Sequence, residues 1–154
     1  MDKQLALQKI QAYCAKCERC HWEVWQKLRD WGVRHYEAND IIASLVEENF
    51  LNEQRFASSF VADKFRLQRW GRIKIVQHLK AKNVSERILA EALERIEDDE
   101  YVNTINKLAK IKLNLLQREG DKQKKYLKLR NFLLQRGFEP ALVAEVCGKW
   151  INKL

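Results

Sequence analysis

The segment LRDWGV (residues 28–33) recurs as LKAKNV at 79–84 and as LLQRGF at 133–138. Placing Gly32, Asn83 and Gly137 in register gives spacings of 83 − 32 = 51 and 137 − 83 = 54 residues. Four residues before each stands a leucine: Leu28, Leu79 and Leu133. One residue after come Val33, Val84 and Phe138. Nine after come Ile41, Ala92 and Val146; ten after, Ile42, Leu93 and Cys147; thirteen after, Leu45, Ile96 and Trp150. Nearly half the chain is apolar, so one such column means little; agreement across all of them marks an internal repeat. Gly and Asn best tolerate the left-handed backbone that closes a helix, so each segment reads as a helix end. Positions nine, ten and thirteen share one face of the helix that follows.

Helical periodicity extends over the rest of the chain. In ALQKIQAYCAKC the apolar residues Leu7, Ile10, Tyr13, Cys14 and Cys17 fall at three- and four-residue steps. Phe56, Phe60, Val61 and Phe65 do the same, as do Tyr101, Ile105, Leu108, Ile111 (or Lys112) and Leu115. That spacing is the signature of an amphipathic helix. With only five Gly and one Pro, the chain lacks the turn residues of an all-β fold or a Gly-rich phosphate loop.

Each repeat therefore reads as a long helix, a turn, a second helix ending at the Gly or Asn, and a third helix. The expected fold is all-α, an elongated, curved array of three tandem three-helix repeats at 1–51, 52–98 and 99–154. A unit of this size has little core of its own, so neighbours must share buried surface. Such a shape suits a long or grooved partner better than a small substrate.

Charge points to the kind of partner. The formal net charge is +8 and the pI about 9.4, which favours an acidic partner such as nucleic acid. Between residues 64 and 87 the bases are Lys64, Arg66, Arg69, Arg72, Lys74, Lys80, Lys82 and Arg87, opposed by Glu86. A second cluster holds Lys107, Lys110, Lys112, Arg118, Lys122, Lys124, Lys125, Lys128 and Arg130, against Glu119 and Asp121. Acids at Glu91, Glu94, Glu97, Asp98, Asp99 and Glu100 separate the two. The candidate partner- or DNA-binding residues are Lys64, Arg66, Arg69, Trp70, Arg72 and Lys74, with Lys122, Lys124, Lys125, Lys128 and Arg130. Any single lysine reads first as part of a solvated helix face with i,i+4 pairs such as Glu91–Arg95; the clusters together argue for an interface. Trp70, among arginines, is a candidate to stack on bases, whereas Trp22 and Trp25 share a helix face with Leu28 and read as core.

Chemistry of its own is not expected. His21, His35 and His78 lie in separate contexts with no nucleophile and carboxylate at a telling spacing. Asp98 and Asp99 read as a helix start, where negative charge suits the dipole. The run YCAKCERCHW (residues 13–22) could supply metal ligands through Cys14, Cys17, Cys20 and His21. No second ligand pair follows at finger spacing, and Cys147 is distant. Cys14 and Cys17 fit the apolar stripe with Ile10 and Tyr13, where a free thiol packs as a small hydrophobe. Cys20 stands where a helix should begin, with Glu23 three residues on, a capping-box spacing. No metal, cofactor or disulfide is expected. No apolar run is long enough to cross a membrane, and the N-terminus lacks a signal peptide's apolar core, so a cytoplasmic chain is expected.

The stretch NFLNEQRFASSFVADKFRLQRWGRIKIVQHLKAKNV (residues 49–84) resembles the RecX family of RecA regulators. The resemblance is carried by Asn49 to Ala57, by Arg66 and Arg69 in a basic helix, and by Gly71, Ile75, Leu79, Lys82 and Asn83. Asn83 stands where the family usually has Gly. ERCHWEVWQKLRDWG (residues 18–32) is similar to the family's first-repeat segment, with Cys20 at a place where relatives commonly have an N-cap Ser. The third repeat shares only the helical period and the Gly137 stop. The resemblance implies three tandem three-helix repeats and a monomer that binds in the groove of the RecA–DNA filament. It implies inhibition of RecA's ATPase, strand-exchange and co-protease activities, which modulates recombination, DNA repair and the SOS response, with no catalysis by the regulator. The alternatives left open are a helical-repeat DNA-binding protein acting without RecA and a metal- or redox-responsive protein built on the cysteines.

Overall fold

The computed structural model describes residues 1–153, and among them it contains nine α-helices and no strand. In order they are α1 (Lys3–Lys16), α2 (His21–Asp30), α3 (His35–Glu47), α4 (Glu53–Arg66), α5 (Arg72–Ala81), α6 (Glu86–Leu93), α7 (Asp98–Leu115), α8 (Lys122–Gln135) and α9 (Pro140–Asn152). No helix among the described residues is long and apolar enough to cross a membrane.

The three aligned stops have one backbone solution. Gly32, Asn83 and Gly137 hold φ of 78°, 59° and 95°. At each, the following residue donates its N–H to the carbonyl of the leucine four before the stop: Val33 to Leu28, Val84 to Leu79 and Phe138 to Leu133, at 3.0, 3.2 and 3.3 Å. The stop residue donates to the carbonyl three before it, at 2.9, 3.0 and 3.0 Å. That pair of bonds is the Schellman motif, and the hydrophobic contact that accompanies it joins the two aligned apolar columns. Leu28, Leu79 and Leu133 are all fully buried. A fourth stop of the same kind closes α3, where Asn49 has φ 62° and Phe50 donates to Leu45.

The chain forms two compact units, one of residues 1–60 and 79–92, the other of 61–78 and 93 onward. In the first, α1, α2 and α3 pack on one another around Ala6, Ile10, Cys14, Val24, Leu28, Ile41 and Leu45. In the second, α7, α8 and α9 pack together, burying Tyr101, Ile105, Leu129, Leu133, Phe138 and Val146. Each buried Val, Leu, Ile or Phe among them contributes roughly 1.5–3 kcal/mol of hydrophobic stabilisation. α4 buries Phe56, Ala57, Val61 and Phe65 along one stripe.

The buried stripes depart from the expected ones on α7 and α1, and Ile42, Phe60, Leu93 and Trp150 of the expected stripes are half-buried. On α7 the apolar face turns to Ala109 and Leu113, leaving Ile111 and Leu115 45% and 75% exposed. A straight helix turns 100° per residue, so a face starting at Tyr101 and Ile105 continues through 108, 109 and 112–113. On α1, Ala6 rather than Leu7 is fully buried, and Cys17 is exposed. Cys17 is the C-cap, with extended backbone, so it has left the helical stripe that Cys14 still follows.

Candidate functional site

The corner between α4 and α5 is where most candidate residues meet. α4 ends with Leu67 and Gln68 both donating N–H to the Asp63 carbonyl and Trp70 donating to Lys64 at 2.9 Å. Arg69, between them, holds φ 57°. A long side chain in this left-handed region carries backbone strain, which persists only where the surroundings enforce it. Here they do. Gly71 donates to the Arg136 carbonyl at 2.7 Å, Ile73 donates to the Gly137 carbonyl at 2.9 Å, and the Arg136 guanidinium donates to the Gln68 carbonyl at 2.6 Å. The two backbones touch: a Cβ on Gly71 would lie 2.4 Å from the Gly137 carbonyl carbon. A Cβ on Gly137 would lie 2.3 Å from that of Lys74. Gly71 is thus required by close approach, and Gly137 by both close approach and φ.

Arg72, the next residue, is tied down. Its guanidinium pairs with Glu139 and Asp98, each at 3.1 Å, and lies 3.9 Å from the centroid of the Tyr101 ring. The Tyr101 hydroxyl accepts from the Arg72 N–H at 2.9 Å and donates to Glu139. Burial, then the bond to Glu139, pushes the Tyr101 hydroxyl's pKa upward, so it stays a donor. Phe65 stacks on the Tyr101 ring at 5.7 Å and Phe138 packs at 5.3 Å. The charge of Arg72 is taken up within the protein.

Arg66 and Arg69 are placed differently. Together with Lys107, Thr104, Glu100 and Phe65 they line a cavity of about 270 Å³. Arg66 is 61% exposed and pairs with Glu100 at 3.4 Å. Arg69 and Lys107 are exposed, and neither makes an ion pair among the described residues. Three cations against one carboxylate, beside an aromatic wall, focus a positive field into a recess of phosphate-binding character. Lys107 lies 38 residues beyond Arg69 (107 − 69) and was grouped by sequence with the α7–α8 lysines. Nothing local to it signals the recess.

Trp70 already has neighbours. Its ring lies 4.6 Å from His78, with Lys64 and Lys74 ammonium groups 4.9 and 4.3 Å from its centroid. A base stacking there would have to displace one of them. On α8, Lys122, Lys124, Lys128 and Arg130 are exposed and Lys125 is half-buried. Lys128 donates to Glu119 at 2.9 Å, and that bond holds the Glu119 carboxyl below the usual carboxylate range. The remaining α8 cations are spread around the helix and are not among the residues that line the cavity with Arg66 and Arg69.

The cysteine run resolves into packing and capping. Cys20 is fully buried as the N-cap of α2, donating its N–H to Glu23 at 3.1 Å in a capping box. Burial pushes its thiol up to about 12, and those of Cys14 and Cys147 up to about 11. All four cysteines are free, and no three potential ligand side chains converge among the described residues. Val24 and Leu28 hold the buried face of α2; Trp25 packs half-buried against that core, as expected, whereas Trp22 departs from the core reading, and both indoles line a cavity of about 620 Å³.

Residues 52–93 match the family model described as RecX, second three-helix domain. The regulatory protein RecX of Clostridium perfringens (strain 13 / Type A) is 35% identical over 133 residues, which cover 86% of this chain and 60% of that one. That of Clostridium tetani (strain Massachusetts / E88) is 32% identical over 127 residues, 82% of this chain and 58% of that one. The chain is similar to RecX proteins over most of its own length. It spans about 60% of the length of these RecX relatives. The crystal structure of RecX from Lactobacillus salivarius shares the fold, with a TM-score of 0.84 at 21% identity over 99% of this chain and 97% of that one.

Proposed function

We propose that the chain is a cytoplasmic regulatory protein, without catalysis of its own, that binds the RecA–DNA filament groove. There it inhibits RecA's ATPase, strand-exchange and co-protease activities. The observation that carries this reading is the recess of Arg66, Arg69 and Lys107, built on a RecX fold with a strained backbone at its centre. Arg66, Arg69 and Lys107 make the phosphate or carboxylate contact. Arg72 positions the corner, and Lys64, Lys74 and the α8 cations Lys122, Lys124, Lys125, Lys128 and Arg130 supply long-range attraction. We further propose three-helix repeats at 1–51, 52–98 and 99–154, a division supported by the three equivalent stops and by the family match starting at residue 52.

The test is binding of the full chain to RecA assembled on single-stranded DNA with a non-hydrolysable nucleotide. Arg69→Ala with Lys107→Ala should weaken binding about 10-fold or more, as charge-assisted hydrogen bonds to a phosphate would when lost. Wild-type affinity in the double variant, with helicity intact, would remove the recess from the interface. Tight, salt-steep binding to bare DNA that RecA does not improve would favour the reading without RecA.

A further inference from the structure

The cavity beside Trp22 and Trp25, entirely within the first unit, has no part in the reading above. Its volume, about 620 Å³, lies in the range of small-molecule pockets. Ile42 and Ile88 line it with the two indoles. Gln26, Asn39 and Asn83 also line it, and none of these amide side chains hydrogen-bonds to another described residue. Glu53 lines it too: one carboxylate oxygen accepts the His21 N–H at 2.5 Å, and the other accepts nothing from the described residues. A cation flanks each indole. The Lys82 ammonium lies 5.5 Å from the Trp22 ring centroid, and the Arg29 guanidinium 5.9 Å from that of Trp25.

We propose that this cavity receives an unstacked, amino-bearing base of single-stranded nucleic acid. Indoles can stack on any base, and amides match the donor and acceptor edges a flat heterocycle presents. Trp25 already meets His35 edge-on at 5.6 Å, so Trp22, whose one ring or cation contact among the described residues is the flexible Lys82 side chain, is the stacking surface. The open Glu53 oxygen suits an exocyclic amino group, as carboxylates accept from the cytosine amine. Thymine offers a carbonyl there and is disfavoured. Arg29 and Lys82, beside the two indoles, would supply positive charge for the attached phosphates, though Lys82 also pairs with Glu23 at 3.1 Å. An apolar side chain from a protein partner fits the site less well, because it would strip water from the amides and return no hydrogen bond.

The probes are short labelled oligodeoxycytidylate, oligothymidylate and an abasic oligomer of equal length, titrated against the full chain without RecA. Oligodeoxycytidylate should bind tightest, and the abasic oligomer weakest. Trp22→Ala should weaken oligodeoxycytidylate binding about 10-fold or more, with Trp22→Phe retaining most of it. Gln26→Ala, on a half-exposed residue that cannot unfold the chain by cavity formation, should weaken it several-fold. Glu53→Gln should erase the preference for cytosine over thymine. Arg69→Ala should lower all three oligomers alike and flatten the salt dependence, so failure of the recess and failure of the base site are distinguishable. Equal binding of the cytidylate and abasic oligomers overturns the proposal. So does wild-type cytidylate binding by both Trp22→Ala and Gln26→Ala, or a Trp22→Ala defect seen only with RecA protein and no DNA.

Discussion

The corner at residues 66–74 and the outer face of α8 at 122–130 carry the same kinds of side chain. They are built in different ways. In the corner, backbone is pressed on backbone at Gly71 and Gly137, Arg72 is spent on internal partners, and Arg69 is held in a strained conformation facing a recess. On α8, the cations follow an ordinary helix, and among the described residues Lys128 pairs with an acid, Glu119. Equal charge therefore does not mean equal role. The corner has a geometry fixed by backbone contact, whereas α8 presents its charges on an ordinary exposed helix.

The harshest way to break this contrast is to separate the backbones. Gly137→Val should cost roughly 3 kcal/mol or more in urea denaturation, combining overpacking against Lys74 with a disfavoured φ. Gly32 has a similar φ but nothing within 4 Å of where a Cβ would stand. Gly32→Ala should therefore cost only about 1 kcal/mol. Equal losses would show that the Gly71–Gly137 contact does not brace the corner.

A gentler probe separates Arg72 from its neighbours. Arg72→Ala leaves the half-buried Glu139 without its cation and should lower stability by about 2 kcal/mol. Lys124→Ala should stay within about 0.5 kcal/mol of wild type. Arg69→Gly sharpens the comparison from the other side. It relieves the left-handed strain, so stability should hold or rise by up to about 1 kcal/mol, while filament affinity falls. A loss of stability in Arg69→Gly would mean that the guanidinium, and not the backbone, anchors the turn.

How far these features could be read in advance follows from their chemistry. The helix stops were legible because Gly and Asn are required by φ, and the columns around them because helical period fixes which residues face inward. Cys20 as a cap was legible through Glu23. Gly71 was visible only as part of a family resemblance; its reason, contact with a backbone 66 residues away (137 − 71), has no local trace. Charge counting put Arg72 beside Arg69 as an equal, although Tyr101, Asp98 and Glu139 claim it from distant segments. Trp25 packs on the core as its spacing with Leu28 implies, but Trp22 does not, because spacing shows a shared face and not whether anything covers it.

The smallest effect concerns the thiols. At pH 8 the exposed Cys17 should react promptly with a thiol reagent, while Cys14, Cys20 and Cys147 react only as the chain opens. Their folded pKa values, about 11 to about 12, exceed the ordinary 9.0. The unfolded chain therefore loses these protons first. Stability from the three thiols should be complete below pH 9 and decline from there towards pH 12. Rapid reaction of all four in the native protein would contradict the burial of Cys14 and Cys20.

ATP hydrolysis by RecA on single-stranded DNA, followed as the full chain is added, probes the regulatory role most directly. Hydrolysis should fall at chain concentrations well below those of RecA, and Arg69→Ala with Lys107→Ala should shift that inhibition to higher concentration. Inhibition that appears only when the chain is abundant enough to coat the bare DNA, and is unchanged in the double variant, would contradict filament binding through the Arg66, Arg69 and Lys107 recess.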